Sequence, residues 1–190
     1  MTMTDTLSPT ALRSGSPSRW LKRYYGTRAL FSVLWVGLAV TVGSAQPQIG
    51  AVLLVAYPLW DCLANSVDAA RNGGLRANPS QSLNAIVSAL VTLAVLIAID
   101  HDVHAAIGVI GIWAALSGLL QLTTGVRRWR SASAQWPQIL SGAQSSLAGV
   151  HFIAKAITPL LAVGVADVAP YAAFGAFYFA VSAAMLMFKR

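Results

Sequence analysis

Long apolar stretches separated by short polar breaks dominate the sequence. Six of them approach the roughly 20 mostly apolar residues that a membrane-spanning helix needs. They cover residues 27–43, 48–69, 82–99, 103–124, 136–157 and 169–188. Prolines, a glycine pair and charged clusters lie between them. The pattern predicts an all-α protein with six transmembrane helices, of which the third, fourth and fifth are the clearest.

Composition supports a membrane protein, with 56% hydrophobic and only 10% charged residues. The net charge of +7 comes from Arg and Lys clusters that flank the apolar stretches. Nucleic-acid binding would need a basic stripe with base-stacking side chains, so we expect membrane lipids and not nucleic acid as the partner of this charge. Cys62 is the only cysteine, which excludes an intrachain disulfide.

The basic residues also predict an orientation. They precede the first stretch, follow the second and fourth, and end the chain, whereas the breaks after the first and third stretches contain neither Lys nor Arg. The positive-inside rule then places both termini in the cytoplasm of a bacterial inner membrane. The first stretch could instead be a cleaved signal peptide, but cleavage would remove a segment that has counterparts later in the chain.

The sequence predicts a disordered tail followed by a single transmembrane domain. Residues 1–18 are polar and rich in Ser, Thr and Pro, which is typical of a disordered tail. Residues 19–190 form a single transmembrane domain, and its first part, residues 19–27, mixes aromatic and basic side chains as an interfacial anchor does.

Internal repetition divides this domain into three hairpins. Shifts of 56 and 57 residues align Ser32 with Ser88 and Ser145, and the first shift also aligns Asn65 with Gln121. The repeats span about 28–71, 80–128 and 135–190. Parallel repeats of this kind predict a pseudo-threefold bundle about an axis along the membrane normal. In the last hairpin, a shift of 57 aligns Gly118 with Gly175.

A family resemblance lies in the middle of the chain, at "IGVIGIWAALSGLLQLTTGVRRWR" (residues 107–130) and "QWPQILSGAQSSLAGV" (residues 135–150). These segments resemble the HdeD-like family of bacterial inner-membrane proteins, which are built from short two-helix repeats. The resemblance implies a membrane bundle and an association with acid resistance. It implies no catalytic residues and no ligand.

The second stretch contains a polar stripe at "YPLWDCLANSVD". Asp61, Asn65 and Asp68 stand at i, i+4 and i+7, so a helix places them on one face. Asp61 lies about 15 Å from the nearer interface, close to the middle of the hydrocarbon. At that depth, inserting a carboxylate costs roughly 2.5–3.5 kcal/mol. Asp61 must therefore face the bundle interior. Asp68 lies nearer the cytoplasmic end, at the depth of Arg28 and Arg71.

Three interpretations of this stripe remain open. The polar groups could form interhelical hydrogen bonds that fix packing, they could form a proton or cation path with Gln121 and His151, or they could belong to a catalytic site. No motif with an activated nucleophile or a paired acid and base is recognised, so we expect neither an enzyme nor a cofactor.

The outer loop "DHDVH" offers weak candidates for a metal or for pH sensing. Asp100, His101, Asp102 and His104 are potential ligands, but the sequence indicates no specific third or fourth ligand elsewhere. A solvated cap of the fourth helix is the expected role.

The leading hypothesis is a non-enzymatic membrane protein with a role in acid or envelope stress tolerance. The alternatives are a proton-linked channel or small transporter that uses the Asp61 stripe, and an accessory subunit of a larger membrane complex. Small side chains at every fourth position, such as Ala114 and Gly118, would permit a homo-oligomer or such a complex.

Overall fold

The chain folds into six α-helices. The computed structural model describes residues 17–127 and 136–188. Within them the helices are α1 (Pro17–Leu38), α2 (Pro47–Arg71), α3 (Pro79–His101), α4 (Val103–Arg127), α5 (Trp136–Ala156) and α6 (Val165–Phe188). A π-helical turn, Ala39–Gly43, continues α1, and a 3-10 turn, Leu75–Ala77, precedes α3. Proline begins α1, α2 and α3, where its fixed φ suits a helix start and its missing N–H is not needed.

The ends of the chain show where the predicted boundaries differ. Helix α1 begins ten residues before the predicted start at 27, so the anchor expected at 19–27 is part of a continuous helix. Helix α6 begins at Val165, four residues before the predicted start. The predicted tail covers residues 1–18, of which residues 17 and 18 belong to α1. Its residues 1–16 and the basic residues at 128–130 and 189–190 lie outside the described residues.

The protein is a multi-pass membrane protein by helix length and hydropathy. Among the described residues, five helices are long and apolar enough to cross a membrane: α1 with its π-helical turn, α2, α3, α4 and α6. Large apolar side chains are exposed on the outside of the bundle, where lipid would cover them. They include Leu34, Val52, Leu90, Leu116, Leu147 and Phe177.

Helix α5 is less apolar than expected. The fifth stretch predicts one of the clearest membrane helices, but the described part of α5 does not reach the hydropathy of the other five helices. Its sequence includes Ser141, Gln144 and Ser145, and these side chains face the centre of the bundle. A helix that lends polar groups to an interior cavity does not need an apolar surface all round.

The helices form a closed ring of three hairpins. The most extensive packing joins α2 to α3, α4 to α5, and α6 to α1. The second helix of each hairpin therefore packs on the first helix of the next, and the last hairpin returns to the first. This cyclic order is the arrangement that a pseudo-threefold bundle of parallel repeats predicts.

Helices α4 and α5 approach each other backbone to backbone. A Cβ atom added at Gly118 would lie 2.4 Å from the backbone nitrogen of Ser146, and one added at Gly149 would lie 2.3 Å from that of Ala115. Gly142 faces the backbone of Leu122 in the same way. Only glycine fits at such distances, so this interface depends on the small residues noted in the sequence.

One half of the bundle is sealed by apolar side chains at repeat-equivalent positions. The even helices supply Leu54, Ile110 and Val168, and the odd helices and the turn after α1 supply Ala39, Val95 and Phe152, all buried. Val168 stands 58 residues after Ile110. The shift that aligns α4 with α6 is thus 58 residues, one more than the 57 that aligns Gly118 with Gly175 in the sequence. With this shift, Gly175 corresponds to Ser117.

Candidate functional site

The other half of the bundle encloses a polar cavity of about 760 Å³. All six helices line it, and its lining runs from mid-helix side chains to Ser80 and Gln81 at the start of α3. None of the described lining residues comes from the sealed half. The cavity is therefore a blind chamber that opens toward the helix ends joined by the α2–α3 connection.

Three aromatic rings form the floor of this cavity. Tyr57 of α2, Trp113 of α4 and Tyr171 of α6 are nearly perpendicular to one another, with ring centroids 6.1, 6.2 and 6.5 Å apart. Edge-to-face pairs of this kind are favourable aromatic contacts. The triangle is repeat-equivalent, and it separates the polar chamber from the sealed half.

A layer of buried serines lies beside the aromatic floor, one from the first helix of each hairpin. Ser32, Ser88 and Ser145 are the residues that the internal shift aligns, and all three are buried. Ser145 Oγ donates to the Ala114 carbonyl at 3.1 Å, whereas Ser88 Oγ donates to Asp61 Oδ2 at 2.8 Å. The same position thus serves packing in one repeat and binds the carboxylate in another.

Asp61 and Arg28 form an ion pair within this chamber. Nη2 of Arg28 donates to Oδ1 of Asp61, and only 13% and 19% of the two side chains are exposed. Asn65 Nδ2 and Ser88 Oγ donate to the other carboxylate oxygen at 3.0 and 2.8 Å. Three donors from three helices therefore satisfy Asp61, which allows a carboxylate to remain inside the membrane region.

Arg28 is held on its other sides as well. Its Nη1 donates to the Tyr24 hydroxyl at 2.8 Å, and its guanidinium lies 4.3 Å from the centroid of the Phe179 ring. Its Nε is buried and has no hydrogen-bond partner among the described residues. The guanidinium is thus fixed in place with one unused donor beside the Nη2 that binds Asp61.

The pair occurs in one repeat only. At the positions equivalent to Arg28, the second and third repeats carry Asn84 and Ser141, and both line the cavity. At the positions equivalent to Asp61 they carry Ser117 and Gly175. A threefold scaffold therefore holds an asymmetric site, and the described lining contains one cation and one anion.

The rest of the predicted stripe divides between two places. Asn65 and Gln121 line the cavity with Asp61. Asp68 does not line it, although it is buried. The Asp68 carboxylate accepts hydrogen bonds from Trp20 Nε1 and Asn72 Nδ2, both at 2.9 Å. It lies two turns closer to the helix end, where the early start of α1 covers it.

His151 is not brought to the stripe. It is exposed on α5 and lies beside Phe152. Six residues separate it from the inward-facing Ser145, and at 100° per residue this rotation turns the two side chains well apart. The depth predicted for His151 along the helix is therefore not sufficient to place its side chain in the interior.

The outer loop forms a helix cap. The Asp102 carboxylate accepts the backbone N–H of His104 near the start of α4, and this bond lowers the pKa of Asp102 below its usual value. His104 Nε2 lies 3.0 Å from the Leu161 carbonyl oxygen. Asp100 and His101 are exposed. In the described part of the chain, no three His, Cys, Asp or Glu side chains come together as metal ligands would.

Sequence reasoning missed Arg28 as the partner of Asp61. Because the first helix was predicted to start at residue 27, Arg28 was placed at its boundary and at the depth of Asp68. In the structure Arg28 is the twelfth residue of α1. The internal shift that aligns Ser32 with Ser88 also aligns Arg28 with Asn84, so the repeat itself carried a signal for an inward-facing position.

Comparison with known proteins gives a partial match. Residues 83–154 match a family model described as a short repeat of unknown function, DUF308, a family that includes HdeD-like proteins. No curated protein and no solved structure matches the chain. The matched range runs from α3 through α4 to the last turn of α5. The chain is thus a multi-pass membrane protein whose central part carries the DUF308 repeat.

Proposed function

We propose that this protein is a non-enzymatic carrier of a small polar solute in the bacterial inner membrane. The observation that carries the proposal is the polar chamber of about 760 Å³ with a buried Arg28–Asp61 pair. A bundle that needed only stable packing would fill its interior, since protein interiors are close-packed. A charged pair beside an open polar space is instead typical of substrate and ion pathways in membranes.

A carrier fits this geometry better than a channel does. A channel needs a continuous path, whereas the chamber ends at Tyr57, Trp113 and Tyr171 and the half beyond them is filled by apolar side chains. A chamber that is open at one end and sealed at the other corresponds to one state of an alternating-access cycle. The three hairpins provide units that could rock against one another.

The side from which solute enters follows from the basic residues. Arg19, Lys22, Arg23 and Arg71 lie at the helix ends toward which the chamber opens. The positive-inside rule assigns these ends to the cytoplasm. We therefore propose that both termini are cytoplasmic and that the described state faces inward.

Flux measurements in proteoliposomes test the proposal. Vesicles with trapped pyranine would be given gradients of sugars, zwitterionic amino acids or sulfonates, and solute-dependent proton movement would be recorded. We expect saturable flux of at least one class, and we expect Ser117→Trp to abolish it by placing a bulky indole in the chamber at the position equivalent to Asp61. If wild-type protein and Ser117→Trp behave alike with every solute, the carrier function is contradicted. If Asp61→Asn lowers thermal stability while saturable flux stays unchanged, the ion pair serves packing and not transport.

A second candidate is the role in acid or envelope stress tolerance that the HdeD-like resemblance implies. The observation that favours it is the DUF308 match at residues 83–154. In this case the protein would act through its packing or as an accessory subunit of a larger complex. Loss of acid survival in a deletion strain that Ser117→Trp restores would favour this candidate, because the chamber is obstructed in that variant.

A further inference from the structure

We infer that the chamber binds an anionic group of its solute together with one proton. On binding, the Arg28 guanidinium exchanges its hydrogen bond to the Asp61 carboxylate for hydrogen bonds to the bound anion. The inference rests on the proposed carrier function and names the substrate class of the same site. The solute would carry a carboxylate, sulfonate or similar oxyanion. The proton comes from hydronium in the solvent: one O–H bond of H3O+ breaks and leaves water, and one O–H bond forms on the Asp61 carboxylate.

The charge of the described lining is the first argument. Arg28 and Asp61 are its charged members, and their charges cancel. In that state the chamber offers an anion no net attraction. When Asp61 takes up a proton, the guanidinium remains and the chamber carries one positive charge. A confined site with charge of one sign concentrates counter-ions.

The geometry of Arg28 is the second argument. Asp61 is bonded through Nη2, while the neighbouring Nε is buried without a partner. These two N–H groups form one edge of the guanidinium, which is the fork that binds an oxyanion with two hydrogen bonds. Tyr24 and Phe179 hold the guanidinium from other directions, so it can stay in place when Asp61 releases it.

Asp61 can also remain satisfied after it becomes neutral. Ser88 Oγ and Asn65 Nδ2 continue to donate to its Oδ2, at 2.8 and 3.0 Å. Oδ1 is the atom that Arg28 now binds, and it can take the proton. The loss of the ion pair is then offset by the new pair between Arg28 and the anion.

Among the described residues, the other ionisable groups that line the cavity are Arg28 and tyrosines, including Tyr25 and Tyr178. Asp68 lies outside the lining and accepts a hydrogen bond from the lining residue Gln81 at 3.4 Å. Tyr24 on α1, Tyr57 on α2 and Tyr171 on α6 interact with Asp61 electrostatically, and Ser88 faces it from α3. The described lining from α4 and α5 consists of Trp113, Leu120, serines and glutamines, none of which titrates near neutral pH. His151 is exposed on the outside of α5. A proton-dependent change in anion binding that Asp61→Asn abolishes and Asp68→Asn retains is therefore assigned to Asp61.

Fluorescence quenching of Trp113 tests the inference without knowledge of the natural solute. Trp113 lines the chamber floor, and its signal is obtained as the difference between each protein and its Trp113→Phe version in zwitterionic nanodiscs. Acrylamide is the neutral quencher, iodide the anionic one and caesium the cationic one, all at constant ionic strength. Acrylamide reports whether the chamber is open, and the two ions report its charge.

We expect Asp61→Asn, which is neutral as the protonated carboxyl is, to raise the iodide quenching constant of Trp113 roughly tenfold, the lower end of the concentration effect in a charged cleft. Caesium quenching should fall, and acrylamide quenching should not change. Arg28→Gln should reverse the two ion effects, and the double variant should return to wild-type values. Asp68→Asn is the matched control, because it removes a carboxylate from the same helix outside the chamber.

The pH dependence completes the test. In the wild-type protein iodide quenching should rise as the pH is lowered, and in Asp61→Asn it should stay constant. Equal iodide quenching in wild type and Asp61→Asn, with acrylamide still effective, overturns the anion inference and leaves the carrier proposal standing. Absence of acrylamide quenching in the wild type overturns the open chamber and with it the carrier proposal.

Discussion

The sealed half and the open half of this bundle are built from the same three hairpins and differ only in which side chains reach the axis. In the sealed half, repeat-equivalent positions carry Leu54, Ile110 and Val168, which fill the interior. Two turns further along α2 and α4, the corresponding positions carry Asp61 and Ser117, which leave a polar chamber.

This difference shows how a symmetric scaffold can hold an asymmetric site. Apolar layers keep their character in every repeat, because each hairpin must contribute equal bulk to seal the axis. The layer with the ion pair needs one cation and one anion, and three copies of either would repel one another. The two halves therefore make separate predictions about stability and access.

The largest expected effect comes from breaking the ion pair on one side. Arg28→Ala leaves the Asp61 carboxylate buried without its cation, and we expect it to lower the free energy of unfolding by about 3–5 kcal/mol. Adding Asp61→Asn to this variant should restore part of the loss, because the isolated charge disappears. Reversible unfolding in mixed micelles measures both variants. Equal stability of wild type and Arg28→Ala would show that the pair contributes nothing.

The sealed half should respond to loss of bulk. Ile110 is fully buried, and we expect Ile110→Ala to cost about 2–5 kcal/mol through lost contacts and a residual cavity. Ile112→Ala on the same helix is the control, since Ile112 is exposed to the membrane side. The same unfolding assay compares them, and a similar cost for both would contradict the assignment of a packed axis.

Close packing of α4 on α5 should be sensitive to a single methyl group. At Gly118 the new Cβ would lie 2.4 Å from a backbone nitrogen, so Gly118→Ala must separate the helices and should cost about 1–3 kcal/mol. Gly37→Ala is the control, because no described atom beyond its chain neighbours and its own helix backbone lies within 4 Å of the equivalent atom there. We expect this control to be neutral or slightly stabilising, and destabilisation equal to that of Gly118→Ala would argue against the interface.

A single hydrogen bond to Asp61 should have a smaller effect. Ser88→Ala removes one of three donors to the carboxylate, and we expect a loss of about 1 kcal/mol. Ser182→Ala is the matched control, since in the described part of the chain that hydroxyl donates to the Tyr178 carbonyl of its own helix and not to a carboxylate. Thermal unfolding in nanodiscs measures both, and a greater loss in the control would contradict the role of Ser88.

The smallest effect is expected at the outer loop. The pKa of Asp102 is lowered in the folded protein, so its charged form stabilises the fold above the usual pKa of an aspartate and this contribution is lost as the pH falls through the lowered pKa. Asp102→Asn should therefore lower the melting temperature slightly at neutral pH and not in strong acid. Asp100→Asn, at an exposed position, is the control, and a pH-independent difference for Asp102→Asn would contradict the charge effect.

Much of the fold could be predicted, because long apolar runs in a sequence identify membrane helices. The six helices and the cyclic packing of three hairpins follow from such runs and from the aligned serines. Helix starts could not be placed from hydropathy alone, because α1 continues into the polar and aromatic segment that begins at Pro17. Average hydropathy also does not say which face of a helix is buried, so the polar side chains along α5 did not by themselves show that they face the interior.

Parts of the site followed from sequence and parts required three dimensions. The inward position of Asp61 follows from the cost of a carboxylate in lipid, and Asn65 shares its face. The pairing with Arg28 depends on how far α1 extends past the interface, which no local pattern specifies. The exclusion of His151 depends on the rotation of α5, because a depth estimate fixes height along a helix and not direction.

The most direct test of the account compares two positions on one face of α4. Ser117 lines the chamber and Ile110 fills the sealed half, two turns apart. In a Cys62→Ala background, Ser117→Cys and Ile110→Cys would be exposed to a membrane-impermeant methanethiosulfonate reagent from each side of oriented vesicles. Without added solute, the account predicts that the described state predominates, so that Ser117→Cys reacts rapidly from the side of the basic helix ends and Ile110→Cys reacts much more slowly from either side. Faster reaction of Ile110→Cys than of Ser117→Cys, or protection of Ser117→Cys from both sides, would contradict a blind polar chamber in a half-sealed bundle.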